Sequence, residues 1–307
     1  MGKLLRGILA GVLLAVAAAP AAADAPEARD FARMAKDAAG APRALQTAIV
    51  RYAPAGGGRD LTVDLIGAVH VADAAYYAAL NDRFAGYDAL LFEMIVPGEE
   101  EGAPGGEGGG LAVISTLQNG MKNALGLSYQ LHEIDYAAPN FVHADLSTRG
   151  LRERMQDRNE SLYVYFWRLV FASLDEYAKD PLGMRDWRLI AAMMQGPESD
   201  ALKIAVAGEL LTSLQAGDVF GGPEGSALIA ARNEHAIGVL REQIDAGARR
   251  IGIFYGVAHM PDFDRRLREL DLVRTGTEWV DAWRFGQAST APAGGSGQNA
   301  ASNPTRK

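Results

Sequence analysis

Two histidines far apart in the chain stand in the same local phrase. His70 closes Gly67-Ala68-Val69-His70 in IGAVHVAD, and His259 closes Gly256-Val257-Ala258-His259 in FYGVAHMPD. Each follows an apolar run, and each precedes an acid, Asp73 or Asp262. Imidazole is a common ligand for zinc, manganese, cobalt and iron, and it also serves as a general base near neutral pH. A single histidine at the end of an apolar run is ordinarily structural. Two in one context point to a shared task. The two acids are read more simply, as carboxylates in the first turn of a helix.

Glu93 lies within the apolar run ALLFEMIV. An ionised carboxylate there is costly to bury unless it is paired. It can ligate a metal, act as a base on water, or pair with an arginine at a sheet edge. Arg232 and Asn233 are adjacent in ARNEHAIGVL. Ile229, Asn233, Ile237, Leu240 and Ile244 recur at helical spacing, so Asn233 falls on the apolar face and needs hydrogen-bond partners. Arg232 flanks that face, placed to orient a carboxylate or stabilise an oxyanion. The plainer alternatives are a surface arginine and a core amide bonded to backbone. His143 and Asp145, in NFVHADLS, form a further polar patch. Asp145 either caps the next helix or, with His143, supports the metal ligands from behind. His132 and His235 are expected at the surface or in a similar supporting place. The chain has no G-x-S-x-G elbow, no H-E-x-x-H pair and no P-loop, which argues against an ordinary α/β-hydrolase, a zincin or a nucleotide phosphatase of that type.

These residues need a frame that gathers them. Residues 60–69, DLTVDLIGAV, read as a strand. Residues 72–87 read as a helix, with Tyr76, Leu80 and Phe84 on one face. Residues 88–96 read as the next strand, so the three predict a βαβ unit, a parallel pair with a right-handed crossover. Further along, 111–127 reads as a helix, QLHEID as a short strand, and 149–216 as a long helical insertion. The segment 227–247 is a helix stopped by Gly247. A strand over 248–259 enters the second motif, a helix comes next over 260–272, and 273–285 is a final strand or strand pair. Both Gly-x-x-His motifs thus fall where strand gives way to helix, the rim where parallel sheets bind ligands. The glycine is read as the residue that lets the backbone turn there. The predicted class is α/β: a mostly parallel central sheet from two similar halves, with a helical insertion at about 149–216.

The ends are set apart by composition. Lys3 and Arg6 precede an apolar run, and Ala21-Ala22-Ala23 offers a cleavage site before Asp24. This is the layout of a secretory signal peptide over residues 1–23, so a periplasmic or secreted location is expected. The run falls short of the ~20 apolar residues that span a bilayer, so no stable membrane span is expected after cleavage. The α/β domain occupies 24–286. Residues 287–307 are small and polar and are expected to be disordered. The Glu- and Gly-rich loop 97–110 is long enough to be either functional or disordered. There is no cysteine, which excludes disulfides, thiolate metal sites and a lipobox anchor. The formal charge is −8, and loss of Lys3 and Arg6 makes it more negative still. An acidic chain without a basic cluster is not a nucleic-acid partner.

Taken in order, IGAVHVAD, LLFEMI, ARNEHAIGVL and YGVAHMPDF resemble the TraB/GumN family, which includes the TIKI-type proteases and is related to the erythromycin-esterase and ChaN-like proteins. The resemblance spans about residues 45–285 and leaves 97–110 and 149–216 without a matching motif. It implies a metal-dependent hydrolase, in some members a peptidase. On this chain it implies His70, His259 and Glu93 as ligands of a divalent ion, Mn, Co or Zn. It also implies Glu93, Arg232 and Asn233 as catalytic, the last two stabilising an oxyanion. The expected function is a secreted or periplasmic metal-dependent hydrolase acting on a peptide or ester bond of a peptide or small-molecule substrate. The alternative, drawn from the ChaN-like relatives, is a haem- or metal-complex-binding protein without turnover. A third reading is a scaffold that recognises a partner protein.

Overall fold

The structure, a computed structural model, describes residues 28–57, 60–95, 125, 127–157, 199–216 and 227–286. The predicted leader, loop 97–110, nearly all of the predicted helix 111–127, the middle of the helical insertion and the tail lie outside the described residues. The described strands are β1 (Ala32–Lys36), β2 (Pro42–Pro54), β3 (Thr62–Ala68), β4 (Val71–Ala72), β5 (Ala89–Phe92), β6 (Ser128–Tyr129), β7 (Phe141–His143), β8 (Arg250–Gly256) and β9 (Leu272–Arg284). The helices are α1 (Ala74–Phe84), α2 (Gln130–Glu133), α3 (Thr148–Asp157), α4 (Asp200–Ala216), α5 (Arg232–Asp245) and α6 (Met260–Arg268). A π-helical turn over Ala227–Ala231 leads into α5, and a 3-10 turn over Val257–His259 leads into α6.

Seven strands form one mixed sheet, and β4 and β6 form a separate two-stranded pair. The predicted α/β class holds, with a majority of the large sheet's strands parallel. In the parallel part the order is β3, β8, β5, β7. These strands read as apolar runs because both faces are covered. In β3 every residue from Val63 to Ala68 is buried, and all four residues of β5 are. The βαβ expectation is corrected in one respect. Its two strands, β3 and β5, are parallel but not neighbours, because β8 lies between them. Gly252 makes that fit possible: a Cβ on it would meet Leu90 Cδ1 at 2.5 Å.

The antiparallel part is built on β2, a strand that, like β1, the sequence pattern does not predict. One edge of β2 carries β9 from Ala44 to Pro54. The other edge is shared, β1 beside residues 42–47 and β3 beside residues 49–52. β2 therefore joins the two parts of the sheet. The predicted strand QLHEID is also corrected: Gln130–Glu133 is a helical turn, and extended chain is limited to Ser128–Tyr129 before it. The helix predicted over 227–247 is a π-helical turn followed by α5, which ends at Asp245, and Gly247 just after it adopts φ 102°, a conformation that favours glycine. The predicted insertion is helical where described, in α3 and α4.

The two motif strands lie side by side, but the chain leaves them in different ways. After β3 come His70, the two residues of β4, and only then α1. After β8 a single 3-10 turn runs straight into α6. The motifs are also out of step by one residue, with Gly67 opposite Tyr255 and Gly256 opposite Ala68. Helix α6 is tied to the antiparallel part through the buried Asp264. That carboxylate accepts from the Tyr52 hydroxyl and from Arg274, and pairs with Arg268. No helix among the described residues is long and apolar enough to cross a membrane.

Candidate active site

The parallel strands β3, β8, β5 and β7 all end at one rim, and the predicted residues meet there. Glu93 is the first residue beyond β5, its amide still bonded to Phe254 O of β8 at 3.2 Å. Its side chain points over the end of β8. Oε2 accepts the Gly256 amide at 2.6 Å, and Oε1 accepts Arg232 Nη2 at 2.7 Å. His259 Nε2 lies 3.5 Å from the same Oε1. A Cβ added to Gly256 would sit 3.2 Å from Glu93 Oε2 and 3.9 Å from His70 Nε2. The motif glycine therefore does something other than predicted. With φ −51° and ψ 139° it makes no turn that only glycine could make. Its missing side chain leaves the room that the carboxylate fills.

His70 and His259 are held in different ways. His70 is exposed, but four carbonyls around it are bonded. Tyr76 donates to Gly67 O at 3.1 Å and Tyr77 to Val69 O at 2.9 Å. The Gln130 amide donates to His70 O at 2.9 Å, and Trp283 Nε1 to Val71 O at 2.6 Å. His259 is 4% exposed, and in its case the ring is fixed. Asn233 Nδ2 donates to His259 O at 3.0 Å and to Asp262 at 2.9 Å, which only the amide nitrogen can do. Asn233 Oδ1 must then be the acceptor facing His259 Nδ1 at 2.6 Å. The proton sits on Nδ1, and Nε2 turns its lone pair toward Glu93.

Arg232 is neither on the surface nor aimed at open space. It is 7% exposed and grips Asp145 with two bonds, Nε to Oδ1 at 2.7 Å and Nη2 to Oδ2 at 2.5 Å, while also reaching Glu93. Asp145 is thus the arginine's counter-ion. The cap of α3 falls instead to Ser147, whose hydroxyl accepts from Gly150 N at 3.1 Å. The donors of Arg232 and Asn233 that were expected to meet an oxyanion have these other partners. His143 is exposed and its Nε2 pairs with Met94 O at 2.7 Å, beside the strand end but off the carboxylate. His132 and His235 are exposed. Asp262 is in the first turn of α6 as predicted and has the added part of fixing Asn233, itself held by Arg265 and Arg266.

Burial and pairing set the electrostatics. Burial alone would push the Glu93 carboxyl up, but neighbouring positive groups, first His259 when protonated, then Arg232 and His70, and the Gly256 amide hold it well below the usual range. Burial pushes His259 down to about 4 against the pull of Glu93, so it is neutral at pH 7. At that pH the Glu93 anion is held by Arg232 and the Gly256 amide. Two carboxylates, Asp145 and Glu93, share one buried guanidinium, so the trio carries one net negative charge next to an unprotonated imidazole nitrogen. Such a place attracts a proton donor or a cation.

Compared with known proteins, the chain matches no family model, no curated protein and no solved structure. Sequence reasoning missed the Gly256 amide as a donor, the Asp145–Arg232 pair, and Gln130, whose backbone N–H bonds His70 O, with its neighbour Tyr136. The Gly of the motif was a signal for the first. The others carry no spacing that marks them.

Proposed function

We propose that the chain is a metal-dependent hydrolase of a peptide or ester bond, of the TraB/GumN kind, acting in the periplasm or outside the cell. One observation carries the reading: the lone pair of His259 Nε2 faces the Glu93 carboxylate 3.5 Å away at the carboxyl rim of the parallel strands, beside an open His70. Two acceptors facing one another need a proton or a cation between them. The donor types suit Mn, Co or Zn. Ligand atoms of a tetrahedral ion with bonds of ~2.1 Å lie about 3.4 Å apart, close to the spacing of this pair. No group of three or more His, Asp or Glu side chains among the described residues is already closed about one point. The exposed His70 would complete the set.

His70, His259 and Glu93 would hold the ion, which when bound supplies Lewis-acid polarisation of a carbonyl and a more acidic water. The chain's own part is to hold charge and orientation. Arg232 and Gly256 keep Glu93 ionised, and Asn233, by accepting from Nδ1–H, keeps the His259 Nε2 lone pair free for the ion. The Nδ1–H bond to Asn233 also fixes the ring and raises its basicity as a ligand. The test is metal content of the purified protein together with hydrolysis of peptide and ester substrates, with and without chelator. Stoichiometric metal and chelator-sensitive cleavage are expected. A Soret band on haem addition with no cleavage of either class overturns the proposal in favour of a binding protein.

A further inference from the structure

Two side chains, on residues whose segment meets His70 through a backbone bond and Phe92 through a ring contact, bear on whether the bond is a peptide or an ester. Gln130 is 6% exposed. Its Nε2 lies 2.8 Å from the Tyr136 hydroxyl, while Oε1 has no partner among the described residues. The Tyr136 hydroxyl has no other partner among them either. An amide's O and N can be exchanged without changing this count. If Nε2 donates to Tyr136, the glutamine oxygen is left as an acceptor and the tyrosine O–H as a donor. If the tyrosine donates to the glutamine oxygen, the glutamine NH2 is left as a donor and the tyrosine oxygen as an acceptor. Either way the pair holds at least one unspent donor and one unspent acceptor. A buried polar group left unpaired is costly, which marks the pair as a place for a partner from outside.

The pair adjoins the reacting groups. The backbone N–H of Gln130 donates to His70 O at 2.9 Å. The Tyr136 ring packs on Phe92, the residue before Glu93, with centroids 5.2 Å apart. Burial and then the Glu93 charge raise the Tyr136 hydroxyl, against the Gln130 bond, to about 12, so it keeps its proton at neutral pH. Half-buried Tyr129 and exposed Leu131 flank Gln130 and supply an apolar border.

We infer that the Gln130–Tyr136 pair binds the extended backbone of the substrate, one side chain taking a peptide N–H and the other the carbonyl that points to the same side, so that peptides are bound in preference to esters. The inference rests on the proposed hydrolytic site for its location. An ester offers acceptors only, so it leaves the pair's acceptor buried and unmatched. The test titrates acetyl-Ala-Leu-Leu-Ala-amide and its depsipeptide twin, with the central N–H replaced by oxygen, into full-length protein carrying Glu93→Gln, by calorimetry. The peptide is expected to bind at least ~10-fold tighter. Adding Tyr136→Phe, which keeps the ring, or Gln130→Leu should bring the twins within about twofold of each other. Melting temperatures show whether each variant is folded, and Tyr136→Phe serves if Gln130→Leu is not. Equal affinities, no binding of either twin, or a preference that survives Tyr136→Phe overturns the inference. Peptide preference without cleavage by the wild-type protein would keep it and remove the hydrolase reading. Preference absent but both twins cleaved would do the reverse.

Discussion

The two Gly-x-x-His regions look alike in sequence and are built on opposite plans. Around His70 the backbone is fixed and the ring is open: four carbonyls from Gly67 to Val71 are bonded by side chains or an amide from α1, β9 and α2. Around His259 the ring is fixed and buried, with Asn233 choosing its tautomer. A shared signature thus specifies where a strand ends and which side chain comes next, and not how that side chain is held. The division suits one site. A buried imidazole of set tautomer can be a reference point, while an exposed one can turn toward an ion or substrate.

The largest effect should come from the histidines themselves. Removing either as Ala is expected to lower hydrolysis by about 10²–10⁴-fold, with the double variant little worse than one single, because groups acting as a unit are not additive. Stability should separate them. His259→Ala leaves Asn233 Oδ1 without its donor and is expected to cost about 1–3 kcal/mol in denaturant unfolding, whereas His70→Ala should stay within ~0.5 kcal/mol. Equal stability losses would break the comparison, and losses of activity that add in log units would break the single site.

A pH titration sharpens the same contrast. His259 has its folded value lowered from 6.5 to about 4. Between those values the unfolded chain binds the proton and the folded chain does not, so stability falls as pH drops through that window. The loss approaches about 3 kcal/mol below pH 4. Metal-stripped protein should show this slope in urea midpoints from pH 7 to pH 4, and His259→Gln should flatten it. An unchanged slope in that variant would place the titrating group elsewhere.

Legibility in the letters tracks the range of the interactions. β3, β5 and β8 were legible because strands covered on both faces are plain apolar runs. β1 was not, since ARMAK is short and half polar. That β8 slips between β3 and β5 was beyond reach, because pairing order depends on contacts between distant segments. His70, Glu93, Arg232, Asn233 and His259 were found through polar types in apolar contexts, where burial demands a partner. Which partner each takes was not legible: Arg232 and Asp145 are 87 positions apart and nothing local links them. The motif glycine was noticed for the wrong reason, as a letter cannot distinguish a turn from a close approach.

That close approach gives a smaller and more local test. Gly256→Ala places a methyl group 3.2 Å from Glu93 Oε2, so the carboxylate must give way by a few tenths of an ångström. Hydrolysis is expected to fall about tenfold with unfolding free energy changed by less than ~1 kcal/mol, the mark of a displaced group in an intact fold. Gly67→Ala, where the added carbon meets Met260 and Val257 at 3.4 Å, has no carboxylate to move. It should affect stability more than activity. The reverse pattern would mean that the two glycines share a function after all.

The smallest expected effect lies in the bonds that hold the first motif. Tyr77 is fully buried and its hydroxyl meets Val69 O alone in the described structure, one residue before His70. Tyr77→Phe keeps the ring in the core and removes only that donor, leaving a carbonyl to find other company. A net loss near 1 kcal/mol is expected, since a hydrogen bond exchanged for solvent is worth about that much. If the backbone bonds are what position His70, activity should drop a few-fold while His259 keeps its tautomer, visible as unchanged imidazole 15N shifts. A loss of stability with no change in activity would show that three bonds hold the loop as well as four. A shift in the His259 signals would mean the two motifs are mechanically coupled, and their separate plans of support would have to be given up.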